Sequence, residues 1–191
     1  MSAIFKSMRY GANLAINKGQ FIGPYHAIRS VGTVYQFDPV DIDGNKLALS
    51  AFTGNVLLIT NVASRCGFTQ ANYDELTRLS ETYNSQGLKI CLFPCNQFMC
   101  QEPLHEEKIQ EFVSNGWPNL AKNAQLFSKV FVNDSATEPL YEYLKDALPG
   151  RIEWNFSAKF VIDKNGMPVR RFDRKSSWKE IEETIRVELE K

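Results

Sequence analysis

Four cysteines, Cys66, Cys91, Cys95 and Cys100, are the strongest nucleophile candidates in this chain, because the thiolate form of cysteine attacks where most neutral side chains do not. Cys91, Cys95 and Cys100 crowd into ten residues and Cys66 stands alone. A secreted scaffold spreads its cysteines to staple distant loops, so this spacing suits reactive or buried thiols better. Cys66 lies in Asn61-Val62-Ala63-Ser64-Arg65-Cys66-Gly67-Phe68-Thr69, after a run of strand character and before a helical one. Ligands of open parallel sheets bind beyond the carboxyl ends of the strands. A thiol at a helix start also meets unpaired N–H groups and the positive end of the helix dipole, which favour a negative sulfur. The competing reading is a structural cysteine, buried and inert.

A thiolate that attacks a peroxide oxygen needs hydrogen-bond donors for the charge moving onto the leaving oxygen. Neutral amide and indole N–H groups, held rigidly, meet that need. Two segments supply them: Phe93-Pro94-Cys95-Asn96-Gln97-Phe98-Met99-Cys100-Gln101-Glu102-Pro103 and Trp154-Asn155-Phe156. Taken singly, a tryptophan beside an asparagine is usually core packing, and a glutamine in a loop usually faces water.

The elements that must bring these groups together can be read from periodicity. Val56 to Val62 is a nearly continuous apolar run, as expected of a strand buried on both faces. From Gln70 to Gln86, Tyr73, Leu76, Leu79 and Tyr83 recur at helical spacing, and Gly87 is placed to end the helix. Leu88 to Phe93 is a second strand, which makes a βαβ unit with parallel strands. Helices are predicted over Glu106–Val113 and Pro139–Ala147. A hairpin joins Phe160–Ile162 to Val169–Phe172 across Asp163-Lys164-Asn165-Gly166. A last helix starts at Trp178, behind the capping box Ser177-x-x-Glu180. Val34, Tyr35 and Phe37 before Asp43-Gly44 read as a short hairpin. This order predicts an α/β, thioredoxin-like fold with a central mixed sheet flanked by helices.

With 191 residues, 43% of them hydrophobic, the chain can bury one core. We expect a domain over residues 33–191 behind an N-terminal extension over 1–32. The formal net charge is zero, which argues against nucleic acid as a partner. No apolar run approaches the ~20 residues of a membrane-spanning helix. The first acidic residue is Asp38, whereas Lys6, Arg9, Lys18 and Arg29 precede it, and Met1, Ile4, Phe5 and Met8 fall at helical spacing. Such a stretch reads either as a transit peptide to a mitochondrion or other organelle, or as a plain tail on a cytoplasmic protein.

Together, Asn-Val-Ala-Ser-x-Cys-Gly-x-Thr, Phe-Pro-Cys-Asn-Gln-Phe-x-x-Gln-Glu-Pro and the Trp154-Asn155-Phe156 segment, with Phe160 and Asp163 beyond it, closely resemble the glutathione peroxidase family. The resemblance runs from about Val34 to the C-terminus. It implies that Cys66 is the peroxidatic residue and that Gln101, Trp154 and Asn155 complete a catalytic tetrad. It further implies a sulfenic acid on Cys66, reduced through a mixed disulfide by glutathione or a thioredoxin-type protein, with no bound cofactor or metal. Many animal members carry selenocysteine where this chain has Cys66, which implies slower chemistry by the same cycle. Two positions depart from the family pattern. Thioredoxin-dependent members have a resolving cysteine in a Glu-Phe-x-Cys context, where this chain reads Glu111-Phe112-Val113-Ser114. Cys100 sits where a non-thiol residue is usual, which makes it a candidate resolving thiol. The brief stretch from Leu144 to Glu153 resembles the monomeric, phospholipid-hydroperoxide type, whose open site implies transient membrane contact for lipid peroxides. Glu153, where such relatives often have lysine, would weaken attraction for acidic glutathione or head groups.

Three rival readings compete with this one. A thiol–disulfide oxidoreductase would carry Cys-x-x-Cys where this chain has Cys66-Gly67-Phe68-Thr69. A redox sensor would pass an oxidising equivalent to a partner protein without turnover. A metal site would use Cys91, Cys95 and Cys100 with His26 or His105, although a mid-strand Cys91 points poorly for it.

Overall fold

The computed structural model describes residues 32–191. The basic N-terminal stretch, with its amphipathic turn and His26, lies outside the described residues. The two apolar runs form strands β1 (Val56–Val62) and β2 (Leu88–Pro94), which pair in parallel from Val56–Leu88 to Val62–Pro94. All seven β1 residues are buried, because β1 is the middle strand of five and is covered on both faces. Helix α1 (Thr69–Tyr83) connects the two strands. Gly87 stops the chain beyond it at φ +103°, a backbone state that glycine enters without steric cost.

Helices α2 (Glu106–Gly116), α3 (Pro118–Asn123) and α4 (Pro139–Ala147) follow, with the two-residue strand β3 (Gln125–Leu126) beside β2. Strands β4 (Lys159–Ile162) and β5 (Pro168–Phe172) form the expected hairpin, and helix α5 (Trp178–Leu189) closes the fold. The sheet order is β3-β2-β1-β4-β5, with β4 antiparallel to β1. This is the mixed, helix-flanked sheet of the thioredoxin-like arrangement.

Side-chain alternation along β1 divides the core. Val56, Leu58 and Val62 pack with Tyr73, Leu76 and Leu79 of α1 and with Ile181 and Ile185 of α5. Leu57 and Ile59 pack on the other face with Leu140, Tyr141 and Leu144 of α4. The N-terminal hairpin expected around Asp43-Gly44 shrinks to a single bridge, Val40 to Lys46. Val34–Gln36 winds instead as a 3-10 turn, capped by the Thr33 hydroxyl and tied to the far hairpin by the Val34 N–H donating to the Gly166 carbonyl at 2.9 Å. A tertiary bond thus holds Val34, while the local ladder is confined to the turn itself, where the Asp41 N–H donates to the Asn45 carbonyl at 2.8 Å and the Leu47 N–H to the Pro39 carbonyl at 2.9 Å.

Candidate active site

The segment between β1 and α1 is held by its own threonine. Thr69 donates through Oγ1 to the Ala63 carbonyl at 2.7 Å and accepts the Cys66 N–H at 3.2 Å. Cys66 lies there with 7% of its surface exposed, so the residue is sheltered without being sealed. The Phe68 N–H donates to its sulfur at 3.5 Å. An N–H at the start of a helix is the donor that stabilises negative charge on sulfur.

Three further bonds bring in the loop after β2. The Arg65 N–H donates to the Gln101 carbonyl at 2.9 Å. Ser64 donates its N–H and its hydroxyl to the two carboxyl oxygens of Glu102, at 2.7 and 2.8 Å. Glu102 is almost fully buried. Burial pushes its carboxyl above the usual range, and the bonds from Ser64 pull it partly back. Neighbours of Cys66 are therefore pinned to Gln101 and Glu102 at consecutive positions.

The third segment arrives just before β4. The Ser157 hydroxyl accepts the Trp154 N–H at 3.0 Å and donates to the Trp154 carbonyl at 2.8 Å, closing a tight turn. Phe156 is left-handed at φ +61°, an uncommon state for a bulky residue that needs outside support. Its N–H donates to the Asn61 carbonyl at 2.9 Å, and its own carbonyl accepts from the Lys159 ammonium at 2.6 Å. Trp154 packs against the apolar cluster that contains Cys66 and Phe156, with its ring 5.8 Å from that of Phe98. Asn155, fully buried, donates from Nδ2 to Gln101 Oε1 at 3.3 Å.

Cys66, Gln101, Trp154 and Asn155 are thus gathered at one end of the sheet by a short chain of contacts. Among the described residues, neither the Gln101 amide NH2 nor the Trp154 indole N–H has an acceptor. Two neutral donors are left for a ligand, on segments tied to the loop whose Cys66 sulfur already accepts one N–H.

The other cysteines separate. Cys91 and Cys95 are buried together on the α4 side of the sheet; burial raises their thiols to about 12 and about 11, with backbone hydrogen bonds from Gln97 and Val132 pulling Cys95 partly back. Cys100 is exposed on the loop, left-handed at φ +52°, next to an equally left-handed Met99. Among the described residues no three metal-ligating side chains converge, so the cysteine trio does not assemble the alternative metal site. Ser114 lies exposed on α2. The supporting residues Asn61, Ser64, Glu102 and Lys159 were not singled out from sequence. Three of them sit inside the motifs already noted, and that placement was the available signal.

Comparison with known proteins follows the same residues. The family model for glutathione peroxidase matches residues 34–145. The phospholipid hydroperoxide glutathione peroxidase 1, chloroplastic, of Arabidopsis thaliana is 46% identical over 157 residues, covering 80% of this chain and 65% of that longer protein. A probable phospholipid hydroperoxide glutathione peroxidase of Citrus sinensis is 43% identical, with 86% of this chain and 98% of the relative covered. Among solved structures, the crystal structure of T. cruzi GPX1 superposes with a TM-score of 0.66 at 35% identity, covering 83% of this chain and 97% of that one.

Proposed function

This chain belongs to the glutathione peroxidase family and is a thiol peroxidase, and we propose that Cys66 is its peroxidatic residue, with Gln101, Trp154 and Asn155 as its polar partners. The observation that carries this reading is the pinning of the Cys66 loop, with its sulfur at a helix start, to the Gln101 loop, whose amide NH2 is unspent. The Cys66 thiolate attacks the nearer oxygen of a hydroperoxide. The O–O bond breaks, and the leaving oxygen departs as water or alcohol after taking up a proton. Cys66 becomes a sulfenic acid. A thiol then displaces water to form a mixed disulfide, and a second thiol releases Cys66 with formation of the donor's disulfide.

Glutathione is the donor we favour, because Ser114 stands where a resolving thiol would serve a thioredoxin-type donor. A basic cleft of about 670 Å³ supports the choice. It is lined by Arg151, Arg170, Arg171 and Arg174 and reaches Glu153 and Ser157 on either side of the Trp154 turn. Arg174 also lies over the Phe68 ring, 5.8 Å from its centre, on the side of Cys66. Such a cleft suits the carboxylates of glutathione or a phospholipid head group. Exposed Phe68 and Met99 offer apolar surface to the acyl chain of a lipid hydroperoxide at a membrane. A second reading of the cycle is favoured by the exposure of Cys100, adjacent in sequence to the pinned Gln101. In it, the Cys100 thiol displaces water from the Cys66 sulfenic acid to form an internal disulfide.

One experiment separates these readings. Wild type, Cys66→Ser and Cys100→Ser are treated with one equivalent of hydroperoxide, peptide-mapped, and then assayed with glutathione and with a thioredoxin system. Rapid glutathione-dependent turnover by a monomer, lost in Cys66→Ser and kept in Cys100→Ser with Cys100 free, is the expected result. A Cys66–Cys100 disulfide would select the two-thiol cycle. Oxidation without turnover by either donor would make the protein a peroxide sensor and overturn the enzymatic reading.

A further inference from the structure

Asn61 is an anomaly in β1. It is a fully buried carboxamide in an otherwise apolar and β-branched strand, and it shares the face of Leu57 and Ile59. Burying an amide costs stability unless its polar atoms are paired. Its Oδ1 has no hydrogen-bond partner. Its Nδ2, by contrast, serves two acceptors in the Trp154 turn: Asn155 Oδ1 at 3.0 Å and the Trp154 carbonyl at 3.2 Å. Its main-chain carbonyl takes the Phe156 N–H. Three bonds from one residue reach three consecutive residues of that turn, while half of its own amide goes unpaired.

The order of donors and acceptors along this chain has a direction. A carboxamide has donors on nitrogen and acceptors on oxygen only. Because Asn61 donates to Asn155 Oδ1, Asn155 has only its NH2 to offer to Gln101. Gln101 accepts through Oε1, and its own NH2 is turned outward. Were Asn155 released, it could rotate and present oxygen to Gln101. Gln101 would then turn its NH2 inward and leave an acceptor facing the peroxide, where a donor is needed.

We propose that Asn61 is a positioning residue for peroxide reduction: it sets the direction of the amide relay Asn61–Asn155–Gln101, so that Gln101 presents a donor to the leaving oxygen, resting on the role given above to Gln101. Asn61 never touches the peroxide; it acts only through the relay.

The test uses the full chain with Asn61→Leu, which keeps the branched shape and suits the apolar strand, and Asn61→Ser as a second, smaller variant should leucine not pack. Two rates are measured for Cys66 in each protein: oxidation by hydrogen peroxide in stopped flow, and alkylation by iodoacetamide followed at the Cys66 peptide. Alkylation reports the thiolate and its access and needs no aimed amide. We expect oxidation to fall about tenfold or more, toward the roughly 10²- to 10³-fold loss seen when an oxyanion donor is deleted. Alkylation should stay within about twofold, because the thiolate and its access do not depend on the direction of the relay. Combined with Gln101→Ala, Asn61→Leu should add little further loss, as for groups acting in series. Oxidation at the wild-type rate in Asn61→Leu or Asn61→Ser beside a slow Gln101→Ala would overturn the relay alone, as would independent, multiplying losses or parallel falls in both rates. Wild-type oxidation in Gln101→Ala would instead remove the site reading beneath it.

Discussion

Lys159 shows how one buried charge is tolerated near the site. It is 5% exposed, its ammonium donates to the Phe156 carbonyl at 2.6 Å, and it lies 4.8 Å from the centre of the Trp178 ring. Burial lowers its amine from the ordinary 10.5 to about 8. The folded chain therefore gives up this proton before the unfolded chain does. Between those two values the unfolded state holds more protons, so the contribution of Lys159 to stability rises with pH, by at most about 1.4 kcal/mol per pH unit. Below about 8 the fold bears the cost of a buried ammonium, offset in part by the carbonyl and the indole. Urea unfolding of wild type and Lys159→Met should show wild type gaining on the variant from pH 8 toward pH 10. A difference that stays flat across that range would mean that Lys159 does not titrate from a buried position.

At the scale of elements, helix ends are set by a few neighbouring residues, and their energies are correspondingly local. The capping box at α5 forms both ways: Ser177 Oγ accepts the Glu180 N–H at 3.3 Å, and Glu180 Oε2 accepts the Ser177 N–H at 2.8 Å. Ser177→Ala should cost about 1 kcal/mol and lower Tm by roughly 2–4 °C for a domain of this size. Peroxide turnover should not change, because α5 packs behind β1 and β4. Calorimetry with a parallel activity assay checks both parts, and a fall in turnover at full occupancy of the folded state would show that α5 reaches the site. Local signals of this kind located α4 to the residue, α1 within a turn, and the β4–β5 hairpin. They could not announce β3, whose two residues are a strand only because they lie beside Cys91 and Leu92. Helix α3 was missed as well. Its six residues, entered through Pro118, are too few for a hydrophobic period to emerge.

For the whole molecule, the zero formal charge conceals an uneven distribution. Four arginines line the cleft beside the Trp154 turn, where Glu153 and Asp173 oppose them. Arg171 is largely committed to structure, donating to the Arg151 carbonyl at 2.8 Å. Arg151 is paired with Asp134 at 2.9 Å. No ion pair engages Arg170 or Arg174 among the described residues, and in the proposed cycle these two would carry the attraction for an anionic donor. Arg170→Ala with Arg174→Ala should raise KM for glutathione several-fold at low salt and leave kcat for saturating donor nearly unchanged. The difference should shrink at about 0.15 M salt, where the screening length is roughly 8 Å. An unchanged KM at low salt would place donor binding elsewhere.

Residue order alone singled out the candidate sulfur, the two donor segments proposed to serve it and the α/β alternation. Each of these depends on residue types within a few positions: a thiol before a helical run, amides in turns, apolar β-branched residues in strands. Which amide faces which was decided only by the folded chain. Asn61, Gln101 and Asn155 are brought together by β1, the loop after β2 and the turn before β4. A hydrogen bond across 54 or 94 residues leaves no periodic trace in the sequence. The hairpin anticipated at Asp43-Gly44 is shorter than its turn signal suggested for the same reason: it keeps the Val40–Lys46 bridge, while a distant carbonyl, that of Gly166, takes the N–H of Val34. Short-range chemistry picks the parts, and long-range pairing aims them.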